Sequence, residues 1–176
     1  GAIPEQIAAR LPAGTVRTGA RVESVQEGGV TLQSGEKIKA HAVVVATEGP
    51  EAARLLRDKG KPGSRSVSCL YYETGEPPIS EPLLILNGEG KGPINSLCSP
   101  SSVAPNYAPK GKSLVSVTMI GVPDQSDQQL ESTARAQLAE WFGSSVKGWR
   151  YLRIYRIPHA LPMQVPPVSD PASRPA

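Results

Sequence analysis

The fold is decided between residues 21 and 47, which read RVESVQEGGVTLQSGEKIKAHAVVVAT. Apolar and polar residues alternate over Arg21–Gln26 and again over Gly29–Gln33, and a Glu-Gly-Gly turn separates the two runs. A second turn at Ser34-Gly35 leads to Lys37–Ala40. Alternation between short glycine turns predicts an antiparallel meander of three strands.

The meander is followed by a stretch of a different kind, Ala42–Ala46, in which every residue is apolar and three are valine. A continuous β-branched run predicts a strand that is buried on both faces, as in a parallel sheet. Pro50 then stands where a first helical turn accepts proline, with apolar residues at Ala52, Leu55 and Leu56. We therefore expect a buried strand and a short helix directly after the meander.

Two features lie on either side of this region. Upstream, apolar residues at every fourth position predict a short amphipathic helix over Pro4–Leu11. Downstream, Gly60–Ser64 is a cluster of glycine, proline and serine that is typical of a linker or crossover. This cluster predicts a domain boundary, and we assign residues 1–57 to a first domain.

The second half of the chain is rich in predicted strands. They are Val67–Tyr72, Leu83–Leu86, Ile94–Cys98, Ser113–Ile120 and Trp149–Ile157. A long helix is predicted over Asp127–Phe142, because Ser126 and Gln129 have the spacing of a capping box and apolar residues repeat at helical intervals. We assign residues 58–158 to a second domain and residues 159–176 to a proline-rich return segment.

Composition excludes several classes of function. The 176 residues carry 19 basic and 16 acidic side chains, and the resulting charge of +3 is scattered, which argues against a nucleic-acid partner. The longest apolar run has five residues against the roughly 20 that a spanning helix needs, so no membrane span is expected. Cys69 and Cys98 have no CxxC spacing, which predicts reduced thiols and no metal site.

Motif look-alikes assign no catalytic residue. Gly88–Pro93 resembles the start of a dinucleotide loop, but a strand pattern follows where the phosphate-binding helix should begin. The Gly111-Lys-Ser triplet matches the end of a P-loop, yet Asn106 stands at the position of the first glycine. A GxSxG elbow is absent from the sequence, so a serine hydrolase is not predicted.

The order of helix, meander, valine-rich strand, helix and second sheet resembles the flavin-containing amine oxidoreductase superfamily, which includes monoamine oxidases, protoporphyrinogen oxidases and phytoene desaturases. Residues 21–25 followed by 35–47 are similar to its "rV..I...dG....aD.VV.A.p" signature. Residues 1–11 resemble the segment that leads into the third part of the FAD domain. Residues 83–95 and 155–162 resemble a subgroup common in cyanobacteria and plant plastids, whose substrates are mostly unassigned.

The resemblance implies a fold and a set of site residues. The fold is α+β from an α/β parent: part of an FAD/NAD(P)-binding domain, with a meander, buried strand and helix, followed by a mixed-sheet substrate domain with a long helix. The residues implied to lie near FAD are Val22, beside the adenine, and Ala46, Thr47 and Glu48, near the dinucleotide. Those implied on the substrate or flavin side are Tyr155, Ala160 and Pro162.

The family's N-terminal GxGxxG and C-terminal Gly-Asp segments are missing from these residues. We therefore expect an inner piece of an FAD-dependent oxidoreductase that oxidises a C–N or C–C bond of a small molecule. Its partner would be the remainder of the parent chain, and the isolated residues would be inactive. The alternative is a non-catalytic binding module whose loop Pro100–Gly111 meets a protein partner. The expected location is the cytoplasm of a bacterium, with a plastid as the alternative.

Overall fold

The chain forms two compact units, Gly1–Pro62 and Gly63–Ala176. The computed structural model describes residues 2–58 and 63–164. Most of the predicted linker Gly60–Ser64 lies outside the described residues, and so do residues 165–176 of the predicted return segment.

The first unit contains the predicted meander. Its elements are α1 (Ala2–Ala8), β1 (Val22–Gln26), β2 (Gly29–Leu32), β3 (Lys37–Lys39) and α2 (Gly49–Leu55). The strands pair antiparallel in the order β1-β2-β3, which confirms the prediction from alternation. Gly29 is required at its position, because a Cβ there would lie 2.0 Å from the carbonyl oxygen of Ile38. The glycine of the first turn thus permits the close approach of β2 and β3.

Two expectations for this unit were wrong. Residues 42–46 form no strand, and the side chain of Val44 is 87% exposed. A strand buried on both faces needs hydrogen-bonded neighbours, and none of the described strands pairs with this segment. Helix α1 ends at Ala8 rather than Leu11, because Pro12 has no N–H to donate to the Ala8 carbonyl, which instead accepts from the Leu11 N–H.

The second unit is built on a five-stranded sheet in the order β5-β6-β7-β4-β8. Its elements are β4 (Ser64–Thr74), β5 (Leu84–Leu86), β6 (Ile94–Cys98), α3 (Pro100–Val103), β7 (Ser113–Ile120), α4 (Asp127–Phe142) and β8 (Arg150–Pro162). Short 3₁₀ helices occupy Pro105–Tyr107 and Gly143–Gly148. Every pairing described in this sheet is antiparallel, whereas a mixed sheet was expected.

Strand β8 is longer than predicted and continues through Pro162 instead of ending at Ile157. The extension follows from its partner β4, whose first residue Ser64 pairs with Pro162. A bulge places Pro158–Ala160 opposite a single residue of β4. Because β8 is an edge strand, its prolines remove no ladder hydrogen bond from a central position. The first four residues of the predicted return segment therefore belong to the sheet.

One face of the sheet packs on α4 and forms the core. Its buried members on the two central strands include Leu70, Tyr72, Val115 and Val117, and the helix supplies Leu130, Ala134 and Leu138. These positions alternate along the strands and recur every four residues on the helix, as burial of one face requires. The capping box at Ser126 and Gln129 is present, and α4 has the predicted bounds.

The intervening residues of the same strands point to the other side, which we call the open face. On β4 and β7 they are Cys69, Tyr71, Glu73, Leu114, Ser116 and Thr118, all half-buried. Tyr71 stands opposite Ser116 on β7 and opposite Arg153 on β8. The open face thus spans the central strands and reaches the β8 edge.

The glycine-rich stretch Gly88–Pro93 is the loop of the β5–β6 hairpin. The side-chain Nδ2 atom of Asn87 donates to the carbonyls of Lys91 and Ile94, each at 2.7 Å. From α4, Gln137 donates to the carbonyl of Lys91 at 2.7 Å and accepts from the Ile94 N–H at 3.0 Å. These hydrogen bonds from Asn87 and Gln137 to backbone groups fix the shape of the loop. The glycines of the loop therefore form a structural turn.

Candidate functional site

The expected FAD-side residues all lie in the first unit. Val22 is the first residue of β1 and is half-buried. Ala46, Thr47 and Glu48 are exposed and immediately precede α2. The hydroxyl of Thr47 donates to the carbonyl of Glu48 at 3.3 Å. Val22 therefore lies on a strand, and the three consecutive residues Ala46–Glu48 lie on the segment that leads into a helix of the same unit.

Arg54 joins that helix to that strand. Its guanidinium donates to the carbonyl of Val22 at 3.0 Å and to that of Glu23 at 2.8 Å. It also forms a two-point ion pair with Glu51, at 2.9 and 2.7 Å. The hydrogen bonds from Arg54 hold the pKa of the Glu51 carboxyl below its usual range. The planar guanidinium thus holds the start of β1 against α2.

A polar cavity of about 450 Å³ lies beside the start of β1. Its lining residues are Arg17, Thr18, Gly19, Ala20, Arg21, Leu32, Gln33 and Ser34. At its edge Arg17 and Glu36 form a two-point ion pair at 2.7 and 2.6 Å. The hydrogen bonds from Arg17 lower the pKa of Glu36. Hydroxyl and amide side chains in this cavity offer both donors and acceptors to a polar ligand.

The expected substrate-side residues lie on β8 of the second unit. The side chain of Tyr155 is 48% exposed and meets the ring of Tyr71 edge to face, with 5.8 Å between ring centroids. The guanidinium of Arg153 lies 5.5 Å from the Tyr155 ring centroid and donates to its hydroxyl at 3.4 Å. These three residues, with Leu114 and Leu152, line a cavity of about 520 Å³. We call it the tyrosine groove.

The other two substrate-side residues do not line this groove. Ala160 is half-buried and Pro162 is exposed, both further along β8. Next to Ala160, the Nδ1 atom of His159 lies 3.0 Å from the hydroxyl of Ser64, the first residue of β4. The structure therefore places Tyr155 with residues of the open face, and places Ala160 and Pro162 at the far end of the same strand.

Sequence reasoning missed Tyr71, Arg153, Leu114 and Leu152 as residues of the groove. The available signal was the alternation of β4 and β7, which separates a buried set from a half-buried set of side chains. That alternation identifies Tyr71 and Leu114 as neighbours on the open face. It does not identify Leu152 and Arg153, because the register shift between Tyr71 and Tyr72 displaces β8 at this point.

The two cysteines are free and half-buried in the second unit. The sulfur of Cys69 lies 3.8 Å from the hydroxyl oxygen of Thr118. Burial raises the pKa of the Cys98 thiol, so this residue resists ionisation. Among the described residues, no group of three or more His, Cys, Asp or Glu is placed to hold a metal ion.

Comparison with protein families decides what kind of chain this is. The family model described as flavin containing amine oxidoreductase matches residues 1–170. The chain belongs to this family. A search of curated proteins finds no match. In the part of the chain that the structure describes, no helix is both long and apolar enough to cross a membrane.

Solved structures share the fold at low sequence identity. Reduced UDP-galactopyranose mutase is 14% identical over 90% of this chain and 39% of its own, with a TM-score of 0.69. An oxidoreductase from Methanosarcina mazei is 16% identical over 78% of this chain and 36% of its own, with a TM-score of 0.59. A Pyrococcus furiosus protein is 14% identical over 82% and 38%, with a TM-score of 0.60. The α+β fold class expected from the sequence is confirmed, and this chain spans less than two-fifths of each structure.

Proposed function

We propose that the chain forms part of an FAD-dependent oxidoreductase that oxidises a C–N or C–C bond of a small molecule. The observation that carries the proposal is the family match over residues 1–170. A flavin, when bound, would accept a hydride, which carries the electron pair of the broken substrate C–H bond, while the protein supplies orientation and electrostatics. In this proposal the first unit contributes residues that bind FAD, and the second unit contributes residues that bind the substrate.

The first unit fits the adenine end of FAD. Val22 is half-buried and directly follows Arg21, which lines a cavity whose polar residues suit a ribose or an adenine edge. Ala46 and Thr47 are exposed residues with small side chains, which permits close approach of a dinucleotide. We assign Val22, Ala46, Thr47 and Glu48 to FAD binding. Arg54 supports the assignment, because it fixes the strand position of Val22.

The second unit supplies the substrate side. Tyr155 is exposed on a face of the sheet that α4 leaves uncovered, and it borders a cavity of about 520 Å³. Pockets for small molecules are commonly of this size and lined by aromatic and aliphatic side chains. We assign Tyr155 to the substrate, and Ala160 and Pro162 to the flavin-proximal end of β8.

The related structures are more than twice as long as this chain. We therefore propose that a longer parent protein holds the remaining parts of the cofactor site and acts as the partner of these residues. On that hypothesis the isolated 176 residues do not turn over substrate. The cytoplasmic location expected from the sequence stays a prediction.

The visible absorption spectrum of the full-length protein tests the proposal. Bound flavin gives bands at about 370 and about 450 nm. Val22→Trp should reduce the flavin content per protein by filling the space assigned to adenine. Val16→Trp, at an exposed position of the same unit, should leave it unchanged.

A protein that stays colourless after incubation with FAD would contradict the proposal. That result would favour a binding module on the same scaffold. The stretch Pro100–Gly111, expected to be a loop, contains α3 and a 3₁₀ helix, and it exposes the apolar side chains of Val103 and Tyr107. Equal flavin loss in the two tryptophan variants would contradict only the assignment of Val22 to the adenine site, and the proposed oxidoreductase function would stand.

A further inference from the structure

The arginines on and beside β8 differ in their partners. Arg135, Arg150 and Arg156 each form an ion pair with a carboxylate, namely that of Glu131, Glu73 and Asp127. Among the described residues, Arg153 forms none, and its one hydrogen bond from the side chain goes to the Tyr155 hydroxyl. A guanidinium has five N–H donors, so most of those on Arg153 are free for a ligand.

The surroundings of Arg153 favour an anion. The five residues that line the tyrosine groove include one cation and no acid. The nearest acid in register on the open face is Glu73, which already meets Lys112 at 3.3 Å and pairs with Arg150. Its negative charge is therefore compensated within the protein. An anionic group beside Arg153 meets attraction without a competing carboxylate in the groove.

The remaining lining residues favour an apolar body attached to that anion. Tyr71 and Tyr155 meet edge to face and present ring surface, and Leu114 and Leu152 add aliphatic surface. The contact of Arg153 with the Tyr155 ring holds the guanidinium plane beside this apolar wall. The groove thus places a positive charge next to an apolar surface.

We propose that the tyrosine groove binds an organic carboxylate, whose charge meets Arg153 and the Tyr155 hydroxyl and whose apolar or aromatic body lies against Tyr71 and Leu114. The groove offers one full positive charge and one neutral donor, which matches a singly charged carboxylate better than a doubly charged phosphate. This inference rests on the proposed function, because it names the substrate class of the same face. It makes Arg153 a residue that determines specificity.

The test measures binding, independently of turnover. The full-length protein is titrated by NMR with 3-phenylpropionate and, separately, with the neutral 3-phenylpropan-1-ol. We expect the carboxylate to bind about tenfold more tightly, the size of one charge-assisted hydrogen bond. Arg153→Gln should abolish that difference, and Arg153→Lys should keep part of it, because the charge remains and the planar fork is lost.

Arg65→Gln is the matched control, since Arg65 is an exposed arginine on β4 that lies outside the groove lining. It should keep the full preference for the carboxylate. Equal affinity for the acid and the alcohol would overturn the proposal, and so would binding of neither, or a preference that Arg153→Gln leaves intact.

The flavin spectrum separates this proposal from the proposed function. A colourless protein that still prefers the carboxylate through Arg153 would support the groove proposal and contradict the proposed oxidoreductase function. A yellow protein without that preference would support the proposed oxidoreductase function and contradict the groove proposal.

Discussion

Arg54 and Val22 are joined across 32 positions of sequence by a hydrogen bond of 3.0 Å from the guanidinium to the carbonyl. The bond fixes the first residue of β1, where the chain leaves an irregular segment and enters the meander. Arg54 makes a second bond to Glu23, so one side chain satisfies two adjacent carbonyls. The register at the start of β1 thus depends on a residue outside the sheet.

Arg54→Met should therefore loosen the start of β1 while leaving the β2–β3 pairing intact. The replacement keeps the length of the side chain but removes all of its donors. Amide hydrogen exchange should become faster at the β1–β2 pairing than at the β2–β3 pairing. Arg10→Met, at an exposed position of the same unit, serves as the control. Equal acceleration in both variants would contradict the role given to Arg54.

Gln137→Ala should destabilise the second unit by about 1–3 kcal/mol, the cost of leaving buried hydrogen-bonding groups without partners. Gln137 is 6% exposed, and it bonds the Lys91 carbonyl and the Ile94 N–H. Urea unfolding gives the measurement. Gln128→Ala, on the exposed side of the same helix, should change stability by less than about 0.5 kcal/mol.

Gly92→Ala should cost more than Gly90→Ala, although both glycines have similar positive φ angles of +71° and +66°. A left-handed backbone costs a non-glycine residue about 1–2 kcal/mol. At Gly92 the added Cβ would also lie 2.4 Å from Oε1 of Gln137, whereas at Gly90 it meets nothing within 4 Å. Urea unfolding of both variants should show the difference. It should shrink in the Gln137→Ala background, and an undiminished difference would exclude the clash as its cause.

Glu73→Gln should reduce the sensitivity of the second unit to acid. Hydrogen bonds from Arg150 and then Lys112 hold the pKa of Glu73 below its usual range. A lowered folded-state pKa gives stability that is complete above the unfolded pKa and is lost as pH falls through the folded value. The wild type should therefore lose more stability between pH 6 and pH 3 than the variant, as measured by the urea midpoint. Parallel losses would show that the ion pairs add nothing.

Local signals allowed the longest helix to be predicted from sequence. The pair Ser126 and Gln129 specifies a helix start through bonds within four residues, and the structure contains both bonds. The turn at Gly28-Gly29 likewise determines the meander through contacts between neighbouring strands. Such features depend on few residues, and these are close in sequence.

Long-range features escaped the same reasoning. Whether the valines of residues 42–46 are buried depends on strands that pair with them, and composition alone does not reveal those partners. The extension of β8 depends on pairing with Ser64, almost 100 positions away. The neighbourhood of Tyr71 and Arg153 follows from the same pairing and from an irregularity in its register. The candidate groove could be inferred only once the order of the strands was known.

The exposed segment 42–46 has a consequence for handling this chain in solution. Three consecutive valines with backbone groups outside any described ladder, and Val44 almost fully exposed, form a template for pairing between molecules. Exposed segments of high β-propensity without charge or proline are an aggregation hazard. We therefore expect concentrated samples of this chain to aggregate less when a strand from another part of the protein pairs with residues 42–46.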